Sequence, residues 1–164
     1  MLVLTPQALT REAFAPYGDV IESGTGQMTT MNDGRFERYD DLCRVETDAG
    51  GRVAIGIASC VEATVLPHEF DHVERHPHGS QAFVPLGFCR FVLAVAPPGE
   101  IVTAADIRAF VTNGQQGVNY HRGTWHMPLI APEQGQRFLI VDRAGDSPNC
   151  EERRLDQPLT LAAI

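Results

Sequence analysis

Short apolar runs, broken at close intervals by glycine and proline, set the rhythm of this chain. Arg52-Val53-Ala54-Ile55-Gly56-Ile57-Ala58 alternates large and small residues, as a strand does when one face is filled and the other is closely approached. Phe88 to Val95 is a near-continuous apolar run ended by Pro97-Pro98-Gly99, and Phe138-Leu139-Ile140-Val141 is a second. Both read as core strands. Helix signals are few. Thr10 can cap a short segment through Phe14, and Thr103 can cap a helix over Ala104 to Val111, stopped by Asn113-Gly114. The pattern predicts an all-β fold, mainly strands with a few short peripheral helices, arranged as a closed or nearly closed small barrel. Closure protects strand edges and leaves a mouth for a ligand.

Composition narrows the picture. The 164 residues fit one domain spanning 1–164, and the 43% hydrophobic content suffices for its core. The formal charge is −8 and arginine dominates the cations, with no cluster able to neutralise a row of phosphates. Nucleic acid is therefore not the expected partner, whereas a small acid can still be held by a guanidinium fork. Cys43, Cys60, Cys89 and Cys150 are widely spaced, without the paired cysteines of a zinc ribbon or redox motif. They read as reduced thiols. The opening Met1-Leu2-Val3-Leu4-Thr5-Pro6 has neither a basic leader nor a membrane-length apolar run, so the expectation is a cytoplasmic protein with no membrane partner.

The polar residues that invite chemistry fall in two stretches. The first runs from Glu74-Arg75-His76-Pro77-His78 to Gln81, and the second from Asn119-Tyr120-His121-Arg122 to Trp125-His126. On an extended chain two or three of His76, His78 and Gln81 can face one interior, and His126 lies in an apolar setting between Trp125 and Pro128. The two stretches resemble degenerate forms of the paired cupin motifs, with Gln81 where many cupins carry a glutamate. In more detail the chain resembles the ureidoglycolate lyase family. The hallmarks are Glu37-Arg38-Tyr39, then Glu74-Arg75-His76-Pro77 with Gln81-Ala82-Phe83 and Pro85. Thr112-Asn113-Gly114, Gln116 to Arg122, Trp125-His126, Pro128 and Asp142-Arg143 follow in order.

That resemblance implies a cupin-like β-barrel and a homodimer. It implies a lyase that splits (S)-ureidoglycolate into glyoxylate and urea in allantoin degradation, the branch of purine and nitrogen metabolism that recovers nitrogen. The family pattern keeps His76, Gln81 and His126 but not His78, so the first three are the candidate ligands of a divalent metal such as Ni2+. The chemistry itself does not strictly require a cofactor. Ureidoglycolate is a hemiaminal bearing a carboxylate, so its cleavage needs a base for the hydroxyl proton, an acid for the leaving nitrogen and a cationic anchor. His76 and His126 are the candidate acid and base, in competition with metal ligation, and Glu74 is a second base. Arg38 or Arg75 can clamp the carboxylate, so that Arg75→Ala is expected to weaken binding. Gln81 and Asn119 can read the ureido group, and Tyr39 or Tyr120 can donate to the oxygen that becomes the carbonyl.

Each residue also has a plainer reading. Arg38 suits a solvated strand face, and Glu74 and Arg75 alternate, so only one of them lines a cavity. Trp125 belongs to the candidate binding set but reads equally as core. Two other functions fit the same residues: a metal-dependent cupin enzyme acting on another small acid, and a barrel that binds a metabolite without turning it over.

Overall fold

The structure is a computed structural model that describes residues 2–164. The chain begins with β1 (Leu2–Leu4), β2 (Gln7–Ala8), helix α1 (Arg11–Phe14), β3 (Gly18–Ile21), β4 (Gln27–Met31) and β5 (Phe36–Asp40). It continues through β6 (Gly51–Ser59), β7 (His68–Arg75), β8 (Gln81–Pro85), β9 (Val92–Ala96) and β10 (Arg108–Val111). The last strands are β11 (Gly117–Tyr120), β12 (Trp125–His126), β13 (Arg137–Gly145) and β14 (Glu151–Leu161). A seven-stranded sheet in the order β1-β14-β7-β12-β9-β10-β2 curls around a five-stranded sheet in the order β3-β11-β8-β13-β6. The fold is all-β, a cupin-like barrel.

Two cores follow from the period of two along the strands. In β9 every residue is buried. Leu93 and Val95 face a core between the sheets with Phe14, Phe83, Phe91, Phe110, Val118, Tyr120 and Phe138. Val92, Ala94 and Ala96 face a second core with Phe70, Val73, Trp125, Leu155 and Leu159. A strand covered on both faces loses the apolar-polar alternation, which is why this run is continuous in the sequence.

The expected first helix is present: Thr10 Oγ1 accepts the Ala13 N–H at 3.2 Å. The second is corrected. Thr103 and Asp106 form a capping box, but it holds one 3-10 turn, Ala104–Asp106, and the chain then enters β10. Here Ala109 and Phe110 are buried in different cores, a demand that a strand meets and a helix face does not. In β6 the strand assignment is right, but the large side chains Val53, Ile55 and Ile57 point outward, 47, 72 and 62% exposed. The small Gly56 and Ala58 face inward opposite Ile140 and Phe138. Small residues on the inner face leave room, and a cavity of about 370 Å³ opens there.

Candidate active site

Register brings the candidate residues together. His126 is the cross-strand partner of Glu74 on β7 and of Val95 on β9, so all three side chains face the core between the sheets. Trp125, one residue earlier, faces the opposite way. His76 follows β7 two residues after Glu74 and so returns to the same side. From the other sheet, Gln81 on β8 is the cross-strand partner of Tyr120 on β11. The result is a cluster of Glu74, His76, Gln81, Tyr120 and His126 at the junction of the two sheets.

Two backbone carbonyls fix the imidazoles. His76 Nδ1 lies 2.6 Å from the Asn149 carbonyl oxygen, and His126 Nδ1 lies 3.1 Å from that of Thr124. A carbonyl only accepts, so each Nδ1 carries a proton and each Nε2 is left to exchange one or to ligate. His76 Nε2 is 3.1 Å from Gln81 Oε1. That contact requires either an imidazolium or an amide turned to present its N–H. His126 is 1% exposed, and Tyr120 stacks on its ring with centroids 4.3 Å apart.

His126 Nε2 approaches Glu74 Oε1 at 3.4 Å, within ion-pair range, yet it lies off the hydrogen-bond line and has no hydrogen-bond partner. The contact becomes attractive when Nε2 takes a proton, because only the imidazolium carries a charge opposite to the carboxylate. The His126 imidazole holds the Glu74 carboxyl below its ordinary value of 4.5, against burial, which raises it. Burial, with the Glu74 charge nearby, pushes the Tyr120 phenol up, so it stays a neutral donor at neutral pH.

The acid sensitivity of the fold follows from these shifts. Asp19 is also lowered: burial raises it, but the Arg44 N–H, the Asn119 amide and His121 outweigh that. A carboxyl whose folded pKa is depressed adds stability above its unfolded value and loses it as pH falls through the folded one. Stability is therefore expected to hold at neutral pH and to decline progressively below about pH 4.5. Urea midpoints measured between pH 3 and 7 check this (~3 and ~7 bracket the window), and Glu74→Gln flattens the decline.

Other candidates stand elsewhere. Arg75 turns away from Glu74, as strand alternation requires. Its Nε is 2.7 Å from Glu151, its Nη1 donates to the Gly99 carbonyl at 2.6 Å, and its guanidinium lies 4.7 Å from the centre of the Trp125 ring. Trp125 is fully buried, and its Nε1–H donates to the same carbonyl at 2.9 Å. Both residues are tied to the second core, so the structure separates them from the histidine cluster. Asn119 points to the outer side of its sheet, where its amide donates to Asp19 and to the Arg44 carbonyl. Arg38 and Tyr39 lie on the β4–β5 hairpin, a separate two-stranded sheet, where they contact Asp40 and Glu37 respectively.

The structure adds residues that the sequence did not single out. Thr124 and Asn149 act through backbone carbonyls, which carry no side-chain signal. Cys150 Sγ lies 3.6 Å from Glu74 Oε2, on the far side of the carboxylate from His126. The 370 Å³ cavity reaches the cluster through Glu74 and is otherwise walled by residues such as Ala58, Phe83, Leu129 and Ile140.

The donor set also fits a metal. One ligand atom each from Glu74, His76 and His126 lie within 4.8 Å of one another, and the partnerless His126 Nε2 is an orphaned buried atom of the kind an ion satisfies. Two imidazoles and a carboxylate suit a borderline first-row divalent ion. Gln81, the third ligand expected from the sequence, contacts His76, and Glu74 occupies the carboxylate place in the trio.

The model of a known family, ureidoglycolate lyase, matches residues 1–162. A protein of Stutzerimonas stutzeri named ureidoglycolate lyase is 47% identical over 152 residues, 93% of this chain and 89% of its own. One of the same name from Pseudomonas fluorescens is 44% identical over 99% of this chain and 98% of its own. Another, from Burkholderia mallei, is 46% identical over 98% of this chain and 94% of its own. With a match over nearly the whole length and relatives at this identity, the chain belongs to the ureidoglycolate lyase family.

Proposed function

We propose that this protein is a ureidoglycolate lyase, an enzyme of carbon–nitrogen bond cleavage that releases glyoxylate and urea from ureidoglycolate. The observation that carries the reading within the site is the pair of imidazoles with pinned Nδ1–H groups beside an ionised Glu74. The family membership supports the choice of substrate.

The substrate carbon bears a hydroxyl, a carboxylate, a hydrogen and the ureido nitrogen. Removal of the hydroxyl proton lets the oxygen's electron pair form the carbonyl as the carbon–nitrogen bond breaks. The departing nitrogen takes a proton and leaves as urea. One Nε2 takes the first proton and the other returns one, and Glu74 stabilises an imidazolium at His126 once it forms. Tyr120 and Gln81 offer neutral donors to the oxygen and the ureido group. The apolar wall of Phe83, Phe138 and Ile140 excludes water and so strengthens these interactions.

Metal ligation is the alternative use of the same two Nε2 atoms. A divalent ion, Ni2+ among the candidates, would be held by Glu74, His76 and His126 and would polarise the substrate oxygen as a Lewis acid in place of proton exchange by the imidazoles. Equilibrium dialysis with Ni2+ is expected to give one site per chain, weakened at least tenfold, about the effect of a disturbed ligand shell, in His126→Ala. Equal binding by both proteins removes His126 from the ligand set.

The finer assignments are the (S)-enantiomer, a place in allantoin and purine breakdown, a cytoplasmic setting and a homodimer. No helix among the described residues is long and apolar enough to cross a membrane. The dimer is supported by the exposed row Val53, Ile55 and Ile57 on the outer sheet face, a flat apolar strip that a two-fold partner can cover. Turnover tests the function: purified protein should release glyoxylate from ureidoglycolate well above the spontaneous rate. Saturable binding without release would replace the lyase with a binding protein.

A further inference from the structure

Apart from an ion held by the cluster, the cavity built by the described residues of one chain has no cationic side chain for an anionic substrate. The cavity is lined by two carboxylates, Glu62 and Glu74, and by no arginine among the described residues. The arginines closest in sequence to the cluster are engaged elsewhere: Arg75 with Glu151 and Gly99, and Arg122 with the Pro77 carbonyl. A negatively lined pocket repels a carboxylate unless a cation is brought to its rim.

The β4–β5 hairpin carries such a cation, and among the described residues its strands pair only with each other. The pairs Thr29–Arg38 and Met31–Phe36 share one face, and Tyr39 lies with Met28 on the other. One face of the ribbon therefore offers an apolar tip, Met31 and Phe36, 40 and 59% exposed, and then an arginine whose side chain is 62% exposed and pairs through Nε with Asp40 at 2.6 Å, a partner that a substrate carboxylate would replace. Arg38 and Tyr39 cannot both enter one site.

The outer face of β6 is the matching surface. Its exposed row ends at Ile57, two residues before Ser59 at the cavity rim. On β5, Phe36 likewise stands two residues before Arg38. Two residues of strand span roughly 7 Å. A hairpin laid along β6 with Phe36 on the isoleucines thus carries Arg38 to the rim. We propose that the β4–β5 hairpin of a second copy of this chain docks on the outer face of β6 and supplies Arg38 to bind the substrate carboxylate, so that each site is completed by both subunits. The inference rests on the lyase reading above.

Arg38→Ala is expected to raise KM for ureidoglycolate roughly ten- to a hundredfold, the loss of a charge-assisted contact, with Ni2+ binding unchanged. The decisive sample is a heterodimer carrying Arg38→Ala in one copy and His76→Ala in the other, with different tags and purified through both. One of its two sites then combines an intact cluster with the partner's intact Arg38, so with substrate held below the wild-type KM activity is expected at about half that of the wild-type dimer, against a loss of about tenfold or more in each variant homodimer. A heterodimer as inactive as the homodimers, an unchanged KM in Arg38→Ala, or a wild-type protein that sediments as a monomer overturns the inference. Wild-type protein that releases no glyoxylate overturns the lyase reading instead.

Discussion

Replacing His126 with glutamine is expected to lower kcat by about a hundred- to ten-thousandfold, the contribution of one positioned acid or base, and to leave KM nearly unchanged. Glutamine keeps much of the volume and polarity of the buried ring but cannot exchange a proton. The loss therefore reports chemistry rather than collapse of the core, where the side chain is 1% exposed. His126→Ala loses at least as much activity and also leaves a void beneath Tyr120, which stacks on the ring. Steady-state kinetics beside a thermal melt separate the two effects. Unchanged kinetic parameters in a folded His126→Gln protein would remove this residue from the catalytic set.

Trp125→Ala is expected to destabilise the fold by about 3–5 kcal/mol, the cost of emptying a fully buried aromatic site. The indole fills the second core with Val73, Ala96 and Leu155, donates to the Gly99 carbonyl and supports the Arg75 guanidinium. Its removal frees Arg75 from that cation–π contact as well. Urea unfolding measures the loss through the midpoint. Protein that remains folded is expected to keep its KM, because Trp125 faces away from the histidine cluster. A large rise in KM with unchanged stability would place the indole against substrate instead.

Much of this fold could be read from the sequence. Glycine and proline punctuation gave an all-β chain. The run from Phe88 to Val95 holds the buried strand β9 only from Val92 on, with Phe88 71% exposed, and Phe138–Val141 lies in β13 with Phe138 buried and the other three half-buried. What escaped was which way faces point. The alternation through Val53, Ile55 and Ile57 marks one face to be filled, because apolar character calls for a cover without saying by what. The segment after Thr103 has the cap of a helix, but pairing with β9 and burial on both faces override that local signal.

For the site, the two polar stretches do converge at Glu74, His76, Gln81, Tyr120 and His126. Alternation along β7 and β12 decides that Glu74 and His126 enter while Arg75 and Trp125 do not. Cross-strand register made that decision, and a single sequence does not display register. The carbonyls of Thr124 and Asn149, which set the tautomers of both histidines, are invisible at the level of side-chain identity.

The central claim is that the cluster cleaves ureidoglycolate at its carbon–nitrogen bond without touching the urea group. The direct measurement is the product ratio: purified protein with ureidoglycolate, and urea, glyoxylate and ammonia quantified together against the spontaneous background. Urea and glyoxylate rising in equal amounts with no ammonia is the predicted result. Ammonia released in place of urea would contradict it and make the enzyme a hydrolase.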